Sequence, residues 1–300
     1  VSASPRGGVA RTELELVDSA PAIQRWKFLV AYDGSPFHGF ALQPQVPTVA
    51  GAIGDALVRL LRLPSPPVIT CAGRTDAGVH AIGQVISVDL PAALPEIRGE
   101  ARSAESLVNA LNRNLAPAIV LRHAEPVSQD FNARFSATWR RYRYLIWNAP
   151  SADPLLAPIA WHVDRALDER SMTQAAGSLI GRHDFRAFCR RPQGADASEP
   201  ITREVRSASL RLVEDDHIAD LGAGRLFRFE IQANAFCHQM VRSLVAQVVD
   251  VGLGRSTIAD LVGLLRSSSR QGAAQPAPPH GLLFLAVGYG SDSGVAEQGL

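Results

Sequence analysis

The sequence predicts an α+β fold in two halves, and three observations carry that prediction. Segments with the two-residue alternation of strands interleave with segments of helical period on both sides of the chain's middle. Pro150 to Pro158 holds three prolines in nine residues, a composition that suits a junction between halves. A length of 300 residues with 46% hydrophobic content supplies a large core without needing a metal or a disulfide framework. The expected organisation is a polar flexible tail over 1–24, an N-terminal half over 25–150, a C-terminal half over 151–290 and a second tail over 291–300.

Trp26–Asp33 reads as the first strand, ended by the turn-forming Asp33-Gly34-Ser35-Pro36. Val49, Ile53, Ala56, Leu57 and Leu60 recur at helical spacing, with Thr48 placed to cap the helix start. Val68–Ala72 and Gln84–Asp89 read as short strands on either side of a glycine-containing loop. A helix over Ser103–Asn112 and a strand over Ile119–Ala124 follow. Thr138–Trp147 alternates and is rich in aromatic residues, which favours a strand. Asp168–Ile180 suits a helix with Gly181 just past its end. Strands over Arg203–Val213 and Leu226–Ala233 lead to a helix lined by Met240, Val241, Leu244, Val245, Val248 and Val251, stopping at Gly252. A helix near Ile258–Leu265 and a strand near Leu283–Tyr289 complete the order.

Composition excludes several classes. No run approaches the roughly 20 apolar residues of a spanning helix, and the first residues lack the pattern of a signal peptide, so a cytoplasmic protein is expected. Cys71, Cys189 and Cys237 are odd in number and far apart, which argues against a disulfide framework and against a thiolate metal site. Net charge is only +1, yet Lys27 stands alone beside 29 arginines. Codon bias and phosphate recognition both produce such an excess; where the arginines cluster decides between them.

Three segments can carry chemistry. In Gly73-Arg74-Thr75-Asp76-Ala77-Gly78, a strand runs into a loop bracketed by glycines, placing Asp76 to face a cleft or merely to close an Asx turn. Arg74 beside it would favour the ionised carboxylate that a nucleophile or base requires. His80, four residues on, reads as structural. In the second segment, Arg134 to Arg143, four arginines and no acid alternate with aromatic residues. A strand would set Arg140, Tyr142 and Tyr144 on one face and Arg141 and Arg143 on the other. Guanidinium for phosphate and ring for base is how unstacked nucleotides are held, and a solvated arginine face looks the same in sequence. The third is Ala233 to Val245, where a strand passes into a helix carrying Arg242 at the edge of its apolar stripe. A phosphate, Asp76 or a structural acid could each answer that charge.

Together these pieces closely resemble the tRNA pseudouridine synthase A family over nearly all of residues 26–290. The resemblance rests on Tyr32-Asp33-Gly34-Ser35, Gly73 to Ala81, Asn109-Ala110-Leu111-Asn112, Phe131 to Arg143, Gly181-Arg182-His183-Asp184-Phe185, Ala233 to Phe236, Met240-Val241-Arg242 and Ala277 to Leu282. It implies the pseudouridine synthase fold, with two similar, mostly antiparallel halves and an active-site cleft between them. It further implies isomerisation of uridine to pseudouridine at positions 38, 39 and 40 of the tRNA anticodon stem-loop, by a homodimer needing no cofactor or metal. Asp76 matches the family's catalytic aspartate, Arg74 an arginine that helps extrude the nucleotide, Tyr142 the ring that stacks on uracil, and Arg242 an arginine paired with the aspartate. Arg140 and Arg141 are expected to contact the substrate. The chain departs from the family pattern at Gly39-Phe40-Ala41, at His238-Gln239-Met240-Val241-Arg242-Ser243 and in a Pro-, Gly- and Ala-rich insert between Phe188 and Arg203, read as a mobile surface loop. A binding-only tRNA protein and a glycoside hydrolase are the rival readings.

Overall fold

Alternating burial along the strands sets the architecture. In a computed structural model, which describes residues 22–94, 103–191, 194, 196, 199–214, 224–267 and 269–290, the strands are β1 (Ile23–Tyr32), β2 (Thr70–Cys71), β3 (His80–Pro91), β4 (Ile119–Val127), β5 (Ala137–Asn148), β6 (Trp161–Val163), β7 (Gly181–Asp184), β8 (Thr202–Leu212), β9 (Arg225–Ala233) and β10 (Leu282–Tyr289). Among the described residues they form one ten-stranded sheet of order β4-β1-β3-β10-β5-β9-β8-β7, with β2 beside β3 and β6 beside β5. Pairing is antiparallel except between β10 and β3 and between β5 and β6. The C-terminal strand β10 therefore lies between β3 and β5 and carries the sheet from one half of the sequence to the other.

Trp26, Phe28, Val30 and Tyr32 of β1 turn one face inward, and Tyr142, Tyr144 and Ile146 do the same from β5. On that face α1 (Val49–Leu61) and α2 (Ala104–Leu115) pack together beside the first four strands. Thr48 caps α1 by accepting from the Gly51 amide at 3.2 Å. Ser103 and Ser106 form a reciprocal box at the start of α2. The Asn112 side chain both donates to and accepts from the Leu121 backbone at 2.8 Å, tying α2 to β4. In the other half α3 (Glu169–Gly177), α4 (Met240–Gly252) and α5 (Ile258–Arg266) cover the sheet. Burying Val241, Leu244, Val245 and Val248 along α4 is worth about 1.5–3 kcal/mol per side chain. Among the described residues no helix is long and apolar enough to cross a membrane.

The structure corrects several expectations. β1 begins at Ile23, inside the expected tail, because Gln24 donates to the Val127 carbonyl of β4 and continues the pairing. Residues 1–21 and 291–300 lie outside the described residues, as does part of the insert between Phe188 and Arg203. α3 stops at Gly177 and Ser178, and Gly181 opens β7 with φ at +117° instead of closing a helix. β6 and β7 are only three and four residues long, too short to show a period. The largest correction concerns the cysteines: Cys189 and Cys237 are joined by a disulfide, with Cα atoms 5.7 Å apart across 48 residues of sequence. An odd count leaves one thiol over, here the buried Cys71, and separation in sequence does not limit separation in space.

Candidate active site

The loop between β2 and β3 carries Asp76, and buried polar groups hold it. Gln84 of β3 is fully buried; its amide donates to the Gly73 carbonyl at 2.7 Å and to the Tyr32 hydroxyl at 3.4 Å. The Tyr32 hydroxyl shares a hydrogen bond with the Thr75 hydroxyl at 2.8 Å, and the Phe40 amide donates to the Thr75 carbonyl at 3.1 Å. Gly39, at φ +97°, lets the chain pass so close that a Cβ there would lie 2.8 Å from the Thr75 oxygen. Asp76 is thus held from the Tyr32–Phe40 side and from β3 at once.

From the opposite wall, α4 supplies the counter-charge. Arg242 Nη1 donates to Asp76 Oδ2 at 2.9 Å, and its Nε donates to the Ala277 carbonyl at 2.7 Å. The Ala277 amide returns a bond to the Arg242 carbonyl, so helix and segment fix one another. The arginine side chain is 14% exposed and the aspartate's 26%, so the pair stands at the edge between protein and solvent. His238 Nε2 lies 3.3 Å from the other carboxylate oxygen, Oδ1.

Tyr142 of β5 forms part of the wall beside this pair. Its ring meets the edges of Phe236 at 5.1 Å and Phe284 at 4.9 Å, both nearly perpendicular. A Cβ on Gly73 would lie 3.2 Å from the Tyr142 hydroxyl, which places that hydroxyl against the start of the aspartate loop. Burial pushes its phenol far above the ordinary range, so it stays protonated. Burial also pushes the neighbouring Cys71 thiol up to about 11, which removes it as a nucleophile. The cleft enclosing these groups measures about 1540 Å³ and is lined by Arg74, Arg134, Arg140, Arg203 and Arg242 against two acids, Asp55 and Asp76.

A family model described as tRNA pseudouridine synthase matches residues 175–290. A tRNA pseudouridine synthase A of Frankia casuarinae is 42% identical over 277 residues, covering 91% of this chain and 92% of the relative. The proteins of that name from Cutibacterium acnes and Methylacidiphilum infernorum are each 38% identical, over 91% and 90% of this chain and 92% and 98% of theirs. The chain belongs to the tRNA pseudouridine synthase A family.

The residues that the family resemblance singles out do not all meet in the cleft. Asp76, Arg242, Tyr142 and Arg140 do, exposed Arg74 stands on the same wall, and Arg141 is absent from the lining. The cation touching Asp76 is Arg242, from 166 residues away, while Arg74 is free to face the cleft. Arg140 is buried, and its guanidinium donates to the carbonyls of Ala72, Arg134, Ala137 and Asn234. It therefore braces the strand entering the aspartate loop. Arg141 points to the other sheet face with Arg143, away from the cleft lining. Sequence reading missed Gln84 and Tyr32, which hold the loop, and His238 and Arg203, which line the cleft. Their signal lies in pairings between distant segments, which a single sequence does not display. His80 is structural as expected: its ring accepts from the Gly34 amide at 3.1 Å and reaches the Pro158 carbonyl at 3.2 Å.

Proposed function

We propose that this chain is a tRNA-modifying isomerase that converts uridine to pseudouridine, with Asp76 as the essential catalytic residue. The observation that carries the reading is the Asp76–Arg242 pair, held at the edge of an arginine-lined cleft with Tyr142 beside it. A carboxylate held by a fixed guanidinium is oriented to act at the ribose side of the glycosidic bond. The arginines suit a phosphate backbone, and the Tyr142 ring suits a base taken out of its stack. The reaction breaks N1–C1′, turns the uracil and joins C5 to C1′; C5 loses a proton and N1 gains one. Substrate and product are isomers, so the chemistry draws on no redox partner.

Within this reading the targets are uridines 38, 39 and 40 of the anticodon stem-loop, and the enzyme works in the cytoplasm as a homodimer whose subunits share an arginine-lined cleft. Arg74 helps extrude the target nucleotide. Tritium release from tRNA transcripts labelled at C5 of uridine tests the chemistry. Wild type is expected to release tritium and Asp76→Ala to release none while still binding tRNA. Release by both proteins would remove Asp76 from the mechanism. Free uracil as product would favour a hydrolase instead, and absence of release by folded wild type on several tRNAs would leave a binding-only protein.

A further inference from the structure

We propose that His238 is a second catalytic residue, the base that takes the hydrogen from C5 once the new bond to C1′ has formed. This rests on the isomerase reading above. The imidazole Nε2 lies 3.3 Å from Asp76 Oδ1, on the side of the carboxylate opposite Arg242. C5 must end one bond, about 1.5 Å, from C1′. The departing hydrogen is therefore beside the carbon at which Asp76 works, and a base in contact with Asp76 is in reach of it.

Tyr142, Cys71 and Arg242, which also stand near this point, cannot do the work. Burial holds Tyr142 as a phenol and Cys71 as a thiol. Arg242 is a cation, donating through Nη1 to Asp76 and through Nε to Ala277. A neutral imidazole has one nitrogen free to accept a proton, and the His238 side chain is 51% exposed, so a captured proton passes on to water. In the step, the imidazole nitrogen that carries no hydrogen takes the C5 proton and the C–H electron pair restores the C5–C6 double bond. The N1–C6 double-bond electrons return to N1, which takes up a proton from water.

The loop carrying His238 is built for placement. Cys237 is bonded to Cys189, the His238 carbonyl accepts from the Arg190 amide at 3.0 Å, and Gln239 turns into α4 with φ at +63°. Two residues before His238, Phe236 abuts the Tyr142 ring. One short segment thus sets a base beside the carboxylate and a wall behind the stacking ring.

The experiment compares wild type, His238→Gln and His238→Ala on transcripts carrying hydrogen or deuterium at C5 of the target uridine. In His238→Gln we expect kcat to fall about 100-fold or more with KM nearly unchanged, and a C5 deuterium isotope effect on kcat larger than in wild type. Added imidazole is expected to restore turnover to His238→Ala. Circular dichroism and tRNA binding establish that both variants fold. Turnover of His238→Gln within threefold of wild type overturns the proposal. So does a loss of turnover with neither an enlarged isotope effect nor imidazole rescue, as would follow if Asp76 itself took the proton. Tritium release by wild type from transcripts of the same sequence labelled with tritium at C5 separates failure of this inference from failure of the isomerase reading, since no release would overturn both.

Discussion

Gln84 has no solvent exposure, and a buried amide is tolerated only where its polar atoms find partners. Its partners here are the backbone of Gly73 and the hydroxyl of Tyr32, the two points from which the Asp76 loop is suspended. Replacing it with leucine keeps the volume roughly but leaves the Gly73 carbonyl without its donor. Gln84→Leu is expected to lower stability by about 1–3 kcal/mol, read as a lower urea midpoint at unchanged slope. Turnover should fall as well, because Asp76 loses one of its supports; an unchanged kcat would show that the loop holds itself. Asp76 was legible in sequence because its loop is contiguous, with two glycines around an arginine and an acid. Gln84 was not legible, since it reads as one polar residue in an alternating strand and its partners come from β1 and the loop before β3.

At the scale of elements, periodicity recovered α1, α2, α4 and α5 and most strands, because one face of each is buried against the sheet. It missed what joins elements. The turn leading into α4 is tied to the 3₁₀ turn at Arg186–Phe188 by the Cys189–Cys237 bridge, between residues far apart in sequence and adjacent only in space. Closing a loop of 48 residues restricts the unfolded chain by about 4 kcal/mol in the chain-entropy account. Cys237→Ser is therefore expected to lower the unfolding free energy of the oxidised protein by up to that amount, read from a lower denaturant midpoint. Wild type treated with a reductant should fall to the same value. Because the bridge adjoins His238, both treatments should also reduce kcat more than tRNA affinity. Equal stability of oxidised and reduced wild type would show that the bridge contributes nothing to the fold.

Across the whole molecule, the single sheet draws the cleft from every part of the chain: Phe40 before α1, Asp76 after β2, Tyr142 on β5, Arg203 on β8, Arg242 on α4 and Pro279 before β10. This convergence explains why a net charge of +1 says little about partners while the cleft concentrates arginine against two acids. The sequence shows how many arginines there are, whereas the topology decides which of them face substrate. Arg140 has given its guanidinium to four backbone carbonyls, so it braces the fold, whereas exposed Arg74 is available to phosphate. Arg203 also reaches the cleft, with its buried Nε lacking a partner among the described residues. Each arginine that neutralises a phosphate should contribute about 0.7 to 0.9 to the slope of log K against log salt. Arg74→Ala and Arg203→Ala are each expected to weaken tRNA binding and flatten that slope by about this amount. Arg170→Ala, on the exposed face of α3 and outside the cleft, should leave it unchanged. Fluorescence anisotropy of labelled tRNA across a salt series measures all three. If the Arg170 variant flattened the slope as much as the Arg74 variant, the RNA would be tracking another face, and the cleft would serve only the flipped nucleotide.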